Sequence, residues 1–388
     1  MRSFHFLWLI IAVVAGVEST AFAQPLPELI NNPEFRPVAR QAVDSLYNNN
    51  PEAARNLLDS WKQRYPEHPL WTLFDGMELW WRILVDLEDT SRDQQFFNLM
   101  GRVDYRSSRI LARDADHADA LIMKAISNGY IARQHANRDN WITSVNQARK
   151  AYNAYQYLKE VQPDLPDLKL AEGLKRYYAE YLPENYPVVK TVSWFLPDGD
   201  KQQGLALLEQ AAEESIFAQA EARYFLGNIN LLYEEDYPEA TRHLEQLYRT
   251  FPNNSYYARI LVRSYYRMNA YDKALVLIDQ ILQRWQSRDL AYADILKQEL
   301  YTWKGRIYFR RFQYVRAADA LERAYAAGQS MTKPGTRSQH VIAAYFLGRS
   351  YLETGQKVKA QQYLSAVTGM ETQENYRNHA EELLDSRF

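Results

Sequence analysis

The sequence predicts an all-α fold, built as a helix-turn-helix repeat solenoid with a less regular helical N-terminal half. Apolar residues recur at spacings of three and four residues over much of the chain, which is the periodicity of amphipathic helices. Glycine is scarce, at 14 of 388 residues, and proline, asparagine and aspartate fall between the periodic segments. No segment alternates in the way a half-buried strand does. A repeated pattern in the C-terminal half indicates the solenoid.

The chain begins with the pattern of a cleavable export signal. Arg2 precedes the apolar residues 4–17, and residues 21–23 (Ala-Phe-Ala) form a small-x-small cleavage sequence. The alternative, a membrane anchor, needs about 20 apolar residues. We expect residues 1–23 to be a signal peptide cleaved after Ala23, and the mature protein to be soluble and either periplasmic or secreted. The absence of cysteine excludes disulfides and lipid attachment at a cysteine, and it favours a bacterial periplasm or exterior.

Residues 24–181 are predicted to form helices that include degenerate copies of the repeat. Pro51 begins a second helix that ends at Tyr65-Pro66, and residues 68–86 form the next first helix. Helices from residue 102 to residue 181 are not assigned to repeats. Residues 182–203 contain three prolines, so we predict an irregular connecting segment that folds back onto neighbouring helices.

Residues 204–388 are predicted to form the regular repeat domain. Its helix-turn-helix units are residues 221–251, 257–281, 300–324 and 343–367. Their first helices share a position for close packing, occupied by Gly227, Val262, Gly305 and Gly348. Their second helices share an alanine, which is Ala240, Ala274, Ala317 and Ala360. The first alanine interval is 34 residues and the next two are 43. The nine extra residues, near 287–289 and 331–335, predict longer helices or protruding loops.

This pattern resembles the tetratricopeptide repeat family over residues 220–370. That family pairs Gly and Tyr in the first helix with Ala and a bulky residue in the second, and its period is 34 residues. The resemblance implies a right-handed superhelix whose first helices line a concave, peptide-binding groove. It implies an interaction scaffold and no catalysis. Chaperones, envelope-assembly factors, secretion machinery and polysaccharide exporters use such folds, and the sequence does not select among them.

The residue after each packing position is the candidate partner contact, because the resemblance places it on the face that lines the groove. Three of these residues are arginine. Neighbouring positions on the same face complete the predicted site, which is Tyr224, Asn228, Arg259, Arg263, Tyr266, Thr302, Arg306, Tyr345 and Arg349. Arginine and tyrosine suit an acidic peptide or a carboxylate, which they bind by charged hydrogen bonds and stacking. Alternatively, the arginines pair with carboxylates of adjacent helices and only stabilise the stack.

Signals of catalysis are sparse, so we predict no catalytic, cofactor or metal residue. The chain has no H-E-x-x-H, G-x-S-x-G or phosphate-binding glycine loop. The oxygen-rich residues 114–119 lack the glycine and glutamate of a calcium loop, so we favour aspartate as a helix cap there. A hydrolytic enzyme would need convergent polar groups, such as Glu180, Tyr181 and Asp200.

The predicted partner is a protein or peptide, and the oligomeric state is not predicted. The formal net charge of −2 gives no global electrostatic case for nucleic acid or anionic lipid. No segment after the signal peptide is apolar enough for stable membrane insertion. Carbohydrate binding is the alternative, with Trp71, Phe74, Trp80 and Trp81 as a stacking platform. The helical spacing of these aromatic residues also suits core packing between repeats.

Overall fold

The computed structural model describes residues 26–187, 199–286 and 293–388. Within these ranges the chain forms seventeen α-helices and no strand, which confirms the predicted all-α helical solenoid. No helix in the described part of the chain is both long and apolar enough to cross a membrane. The predicted signal peptide lies outside the described residues.

The helices follow one another in antiparallel pairs joined by short turns. Those of the N-terminal half are α1 (Phe35–Tyr47), α2 (Pro51–Arg64), α3 (Leu70–Val85), α4 (Asp93–Leu111), α5 (Ala118–Ala136), α6 (Trp141–Val161) and α7 (Leu168–Asn185). Those of the C-terminal half are α8 (Lys201–Glu214), α9 (Gln219–Leu232), α10 (Tyr237–Thr250), α11 (Ser255–Arg267), α12 (Tyr271–Gln286), α13 (Ala293–Arg310), α14 (Tyr314–Gln329), α15 (Ser338–Glu353), α16 (Lys357–Thr368) and α17 (Glu374–Arg387).

Short polar side chains and proline start several of these helices. Asn50, Asp200 and Asp236 each accept a hydrogen bond from the backbone N–H three residues later, which satisfies a donor that the first turn leaves free. Pro51 occupies the first position of α2, where its missing N–H costs nothing. The turns between paired helices are therefore encoded locally.

The predicted close packing within pairs is confirmed at the glycines. A Cβ atom added to Gly227 would lie 2.8 Å from Leu244 Cδ2, and one added to Gly348 would lie 2.9 Å from Leu364 Cγ. Both distances are shorter than carbon atoms tolerate. Leu244 and Leu364 each lie four residues after a repeated alanine, so side chains of the second helix pack against the backbone of the first.

One of the two predicted insertions is visible between α14 and α15. Residues 330–337 form a loop that contains a short 3₁₀ turn, Pro334–Thr336, and α13 extends to 18 residues where α9 has 14. The other insertion, near residues 287–289, lies outside the described residues. The sequence predicted longer helices or protruding loops, and the structure has one longer helix, α13, and one long loop, residues 330–337.

The predicted connecting segment joins the two helices of one pair, α7 and α8. A Cβ atom on Gly173 would lie 2.9 Å from the Gly204 carbonyl oxygen, so the two helix backbones approach closely. Asp200 caps α8 by accepting from the Gln203 N–H. The apolar residues 194–196, expected to fold back, lie outside the described residues.

The N-terminal half lies against the first helices of the C-terminal half. Asn254 Nδ2 donates to the Tyr47 carbonyl oxygen at 2.7 Å, across 207 residues of sequence. Trp81 of α3 packs edge-on against Tyr257 of α11, with ring centroids 5.3 Å apart. One continuous hydrophobic core includes residues from α1 to α5 and from α9 to α13. The solenoid therefore folds back on itself, and part of its inner face is covered by its own N-terminal helices.

Candidate partner-binding groove

The predicted groove residues divide into a covered group and a partly open group. Five of the nine are buried, and they are Tyr224, Arg259, Tyr266, Thr302 and Tyr345. The other four are half-buried, and they are Asn228, Arg263, Arg306 and Arg349. The inner face of the C-terminal repeats is therefore accessible to a partner over only part of its length.

The covered group is explained by contacts within the chain. Arg133 of α5 stacks over the Tyr224 ring at 4.7 Å and hydrogen-bonds its hydroxyl. Arg259 donates to the Val85 carbonyl oxygen at 2.7 Å and pairs with Glu299 at 2.9 Å. For Arg259 the structural alternative, pairing with a carboxylate of an adjacent helix, is what the structure shows. The expectation that Tyr224 and Arg259 face an open groove is wrong, because the N-terminal half covers them.

Thr302, Tyr266 and Tyr345 are buried among the C-terminal helices. The Thr302 hydroxyl donates to the Gln298 carbonyl oxygen one turn earlier in α13. The Tyr266 ring packs against Trp303 with centroids 4.9 Å apart, and Tyr345 packs against Tyr376 at the same centroid distance. These three side chains therefore belong to the packing of the helices, and little of their surface is open to a partner.

The three ladder arginines, Arg263, Arg306 and Arg349, behave differently. Within the described ranges none of them forms an ion pair with a carboxylate. Glu299, the carboxylate whose charge acts on Arg263, is already paired with Arg259. For this group the structure does not support the alternative that carboxylates of adjacent helices neutralise the charges.

Aromatic rings hold two of these guanidinium groups in place. Arg306 lies over Trp303 at 4.5 Å, over Tyr266 at 4.8 Å and over Phe346 at 5.4 Å. Arg349 lies over Phe309 at 4.7 Å. Cation–π contact orients an arginine without consuming its hydrogen-bond donors. The ladder is thus a set of oriented, cationic donors.

Neighbouring positive charges affect the pKa of Arg263. Burial lowers the pKa of its guanidinium, and the neighbouring Arg267 and Arg306 lower it further against the opposing effect of Glu299. An added negative charge would be favourable at this position, because it would offset the repulsion among these arginines.

Two buried donors near the ladder lack acceptors in the described part of the chain. They are Nε1 of Trp303 and Nε of Arg306. A buried donor without a partner is costly, so it commonly marks a place where water or a ligand supplies the acceptor. The groove at α13 thus offers donors and positive charge together.

The tryptophan platform suggested by the sequence is wrong. Trp71 and Trp80 are only 6% and 1% exposed, and Trp81 is enclosed by Tyr47 and Tyr257. A sugar cannot stack on rings that the core already covers. The alternative interpretation, core packing between repeats, is confirmed.

Two further polar sites differ from the sequence interpretation. The cap of α5 is His117, whose Nδ1 accepts from the Ala120 N–H at 3.3 Å, and no aspartate caps this helix. The buried Asp119 instead accepts from the Leu29 N–H at 2.7 Å. Its carboxylate thereby ties the start of the described chain to α5.

The polar groups considered for an enzyme are engaged in local structure. Glu180 accepts from the backbone N–H of Lys201 at 2.9 Å, and Asp200 accepts from that of Gln203 at 2.8 Å. Tyr181 packs against Tyr233 with ring centroids 4.5 Å apart. Helix capping and aromatic packing account for all three.

Sequence reasoning missed one cluster with metal-ligand chemistry, formed by Glu209, Glu239 and His243. Their ligand atoms lie within 4.8 Å of one another, and His243 Nε2 is 2.8 Å from Glu209 Oε1. The spacing of Glu239 and His243, four residues apart on α10, was the available signal. Arg242 also enters the cluster, at 2.8 Å from Glu209 and 2.9 Å from His243. Its guanidinium neutralises the carboxylates, so a cation would have to displace it.

That charge arrangement affects the protonation of Glu209. Burial raises its pKa, but the hydrogen bond from His243 and the charge of Arg242 outweigh this effect and lower the pKa to about 2. Glu209 is therefore a carboxylate at neutral pH, paired within the chain. The cluster links α8 to α10 by hydrogen bonds and ion pairs.

Comparison with known proteins agrees with the repeat in one region. Residues 231–298, from the end of α9 to the first turns of α13, match the model of the tetratricopeptide repeat. None of the curated proteins matches the sequence. The chain is 12% identical to the protein of the solved structure entitled Crystal Structure of the Yeast Tom70. The match covers 91% of this chain and 95% of that one, with a TM-score of 0.26.

Proposed function

We propose that this protein is an exported interaction scaffold that binds a protein or peptide partner in the groove lined by Arg263, Arg306 and Arg349. The observation that carries the proposal is the absence of carboxylate partners around these three half-buried arginines in the described part of the chain. Tetratricopeptide repeats, which residues 231–298 match, generally mediate interactions between proteins.

The chemistry of the groove favours an acidic partner segment. Guanidinium groups bind carboxylates by short, charge-assisted hydrogen bonds, and aromatic rings beside them add contact area. The ladder arginines come from successive repeats, so an extended chain running along the groove would meet one cationic donor after another. Roles in envelope assembly or secretion fit this proposal equally.

Export belongs to the proposal because of residues 1–23. Their basic start, apolar stretch and Ala-Phe-Ala sequence are the support for it. Recovery of the protein from the native envelope or medium, followed by measurement of its intact mass, reports whether cleavage has occurred after Ala23. A full-length mass in the cytoplasmic fraction would contradict export without affecting the groove.

Charge reversal in the groove tests the binding site. The mature protein is used as bait in envelope extract, and the captured proteins are quantified against the variant Arg263→Glu plus Arg306→Glu. Because each charged hydrogen bond contributes about 1.5–3 kcal/mol, we expect capture of the specific partner to fall at least tenfold.

The control is Arg102→Glu plus Arg109→Glu, which makes the same change in net charge at exposed positions of α4. Capture by this control is expected to equal that of the wild type. Circular dichroism must show that both variants retain helix. Undiminished capture by a folded Arg263→Glu plus Arg306→Glu variant would refute the groove, and capture of polysaccharide with no protein would refute the scaffold.

A further inference from the structure

Three turns along one edge of the solenoid carry matched seven-residue segments. They are residues 267–273, 310–316 and 353–359, which follow one another at intervals of 43 residues and join α11 to α12, α13 to α14 and α15 to α16. The third residue of each segment has a left-handed backbone conformation, with φ of 57° at Asn269, 59° at Phe312 and 75° at Gly355. We call residues 267–273, 310–316 and 353–359 together the turn edge.

Phe312 is unusual at the left-handed position because it is large and apolar. The corresponding residues of other turns are Asn49, Asp139, Asn269 and Gly355, whose residue types tolerate this conformation best, and the polar Glu235. Phenylalanine is strained there, and its ring is 78% exposed. Neither backbone geometry nor core packing accounts for this residue.

Other large apolar side chains project from the same turns. Val315 and Val358 each lie three residues after the left-handed position, as the second residue of α14 and of α16, and they are 73% and 84% exposed. Met268, next to the left-handed Asn269, is also exposed. These side chains come from three successive turns, two of them from the turn 310–316. The turn edge therefore presents a row of exposed apolar side chains.

Basic residues surround these apolar points. The three segments contain seven basic and two acidic residues, and six of the seven basic side chains are exposed. One acidic residue, Asp272, is paired with Arg311 at 2.9 Å. The preceding turn, residues 233–239, contains four acidic residues and no basic one. The three segments thus carry a net charge of +5, in a chain whose overall charge is close to zero.

We propose that the turn edge docks onto an anionic lipid surface, with Phe312, Val315 and Val358 entering the interface and the basic side chains contacting lipid phosphates. An aromatic and several aliphatic side chains beside lysine and arginine are the chemistry of interfacial membrane binding. A row of separate protrusions suits a deformable bilayer, since a protein partner would need a matching cavity for each. The net charge of the chain gave no reason to expect lipid, because the positive residues are concentrated locally.

The groove arginines lie on the first helices and the turn edge on the helix ends, so the two sites are separate. A scaffold held on a membrane by its edge leaves the groove accessible. The proposal is independent of the proposed function, since lipid binding requires none of Arg263, Arg306 and Arg349.

Vesicle sedimentation tests the turn edge with the mature full-length protein. Vesicles of phosphatidylcholine alone are compared with vesicles containing about 30 mol% phosphatidylglycerol. We expect sedimentation only with the anionic vesicles, and release as salt is raised to about 0.5 M, because salt screens the charges. Equal binding to both vesicles, or binding to neither, would overturn the proposal.

The decisive variant is Phe312→Asn plus Val315→Gln. Asparagine suits the left-handed position, so this variant should fold at least as well as the wild type. We expect at least a tenfold loss of partition onto anionic vesicles. Lys357→Gln plus Lys359→Gln should lower the partition about fivefold for each charge removed.

The matched control is Ile142→Gln, which replaces a 57% exposed side chain at the same register, the second residue of α6. It should leave vesicle binding unchanged. Sedimentation velocity without lipid separates the remaining alternative. If Phe312→Asn plus Val315→Gln abolishes self-association and leaves vesicle partition intact, the turn edge is an interface between two copies of the chain, and the lipid proposal is wrong.

Discussion

Gly305 of α13 faces Leu321 of α14 so closely that a Cβ atom would overlap the leucine side chain. The same relation holds for Gly227 with Leu244 and for Gly348 with Leu364. Each contact joins residues fewer than twenty positions apart, so the repeat in the sequence is sufficient to reveal it. Steric packing within a helix pair is therefore the best-predicted feature of this protein.

We predict that Gly305→Ala destabilises the protein by about 1–3 kcal/mol, the usual cost of forcing extra volume into a packed interface. Urea unfolding followed by circular dichroism measures it. Gly101→Ala is the control, because Gly101 lies within α4 with no atom near its Cβ position. That change should stabilise the protein by about 0.5–1 kcal/mol. Equal stability of the two variants would show that the glycine contact is not tight.

The sequence predicted the contacts of the arginines less well than those of the glycines. Arg259 and Arg263 lie one helical turn apart on the same helix face. Arg259 bonds to carbonyl groups 174 and 175 residues away, and Arg263 forms no ion pair in the described part of the chain. The difference arises from which part of α11 the N-terminal half covers. No local pattern encodes a contact over such a sequence distance.

At the scale of elements, the loop between α14 and α15 connects distant parts of the fold. Arg337 forms two hydrogen bonds with the Asp86 carboxylate, at 3.1 and 2.9 Å, and Ser338 N–H donates to Glu88 at 3.0 Å. On its other side, the Gly335 carbonyl oxygen accepts from the Glu371 N–H. The sequence predicted a protrusion here, but it did not predict what the protrusion would contact.

Charge reversal of this pair is expected to separate the loop from α3. Arg337→Asp should cost about 3–5 kcal/mol, since it leaves the largely buried Asp86 facing a second negative charge. Arg337→Asp combined with Asp86→Arg should recover a substantial part of the loss. Limited proteolysis near residues 330–337 and thermal unfolding measure both effects. Failure of the double variant to recover any stability would show that the pair contributes only through packing.

At the scale of the whole molecule, the chain departs from an open solenoid in which each repeat contacts only its neighbours. Contacts of α1 and α3 with α11 join parts that are separated by about half of the sequence. The all-α fold class and the helix pairs followed from periodicity and turn residues. The packing of the N-terminal half against the inner face could not be predicted from these signals, because it depends on how small rotations between repeats accumulate.

We predict that the two halves stabilise each other through Arg259. Arg259→Met removes its bonds to the end of α3 and its ion pair with Glu299, and should destabilise the protein by about 2–4 kcal/mol. Hydrogen exchange followed by mass spectrometry should show faster exchange in α1–α3 and α11, with α15–α17 little changed. Lys273→Met, which removes an exposed pair with Glu245, should alter stability by at most about 0.5 kcal/mol. Exchange that quickens only in α11 would contradict the coupling.

The bond between Asn254 and Tyr47 also sets an order of events during synthesis. At about 5–20 residues per second, a ribosome needs about 10–40 s to add the 207 residues that separate these two positions. Until then, the inner surfaces of α1 and α3 have no counterpart. Repeat proteins ordinarily fold by propagation from neighbour to neighbour. Here the contacts between the N-terminal half and α11 can form only after α11 has been synthesised. The nascent N-terminal half therefore has an extended period in which chaperones can bind it before its final contacts form.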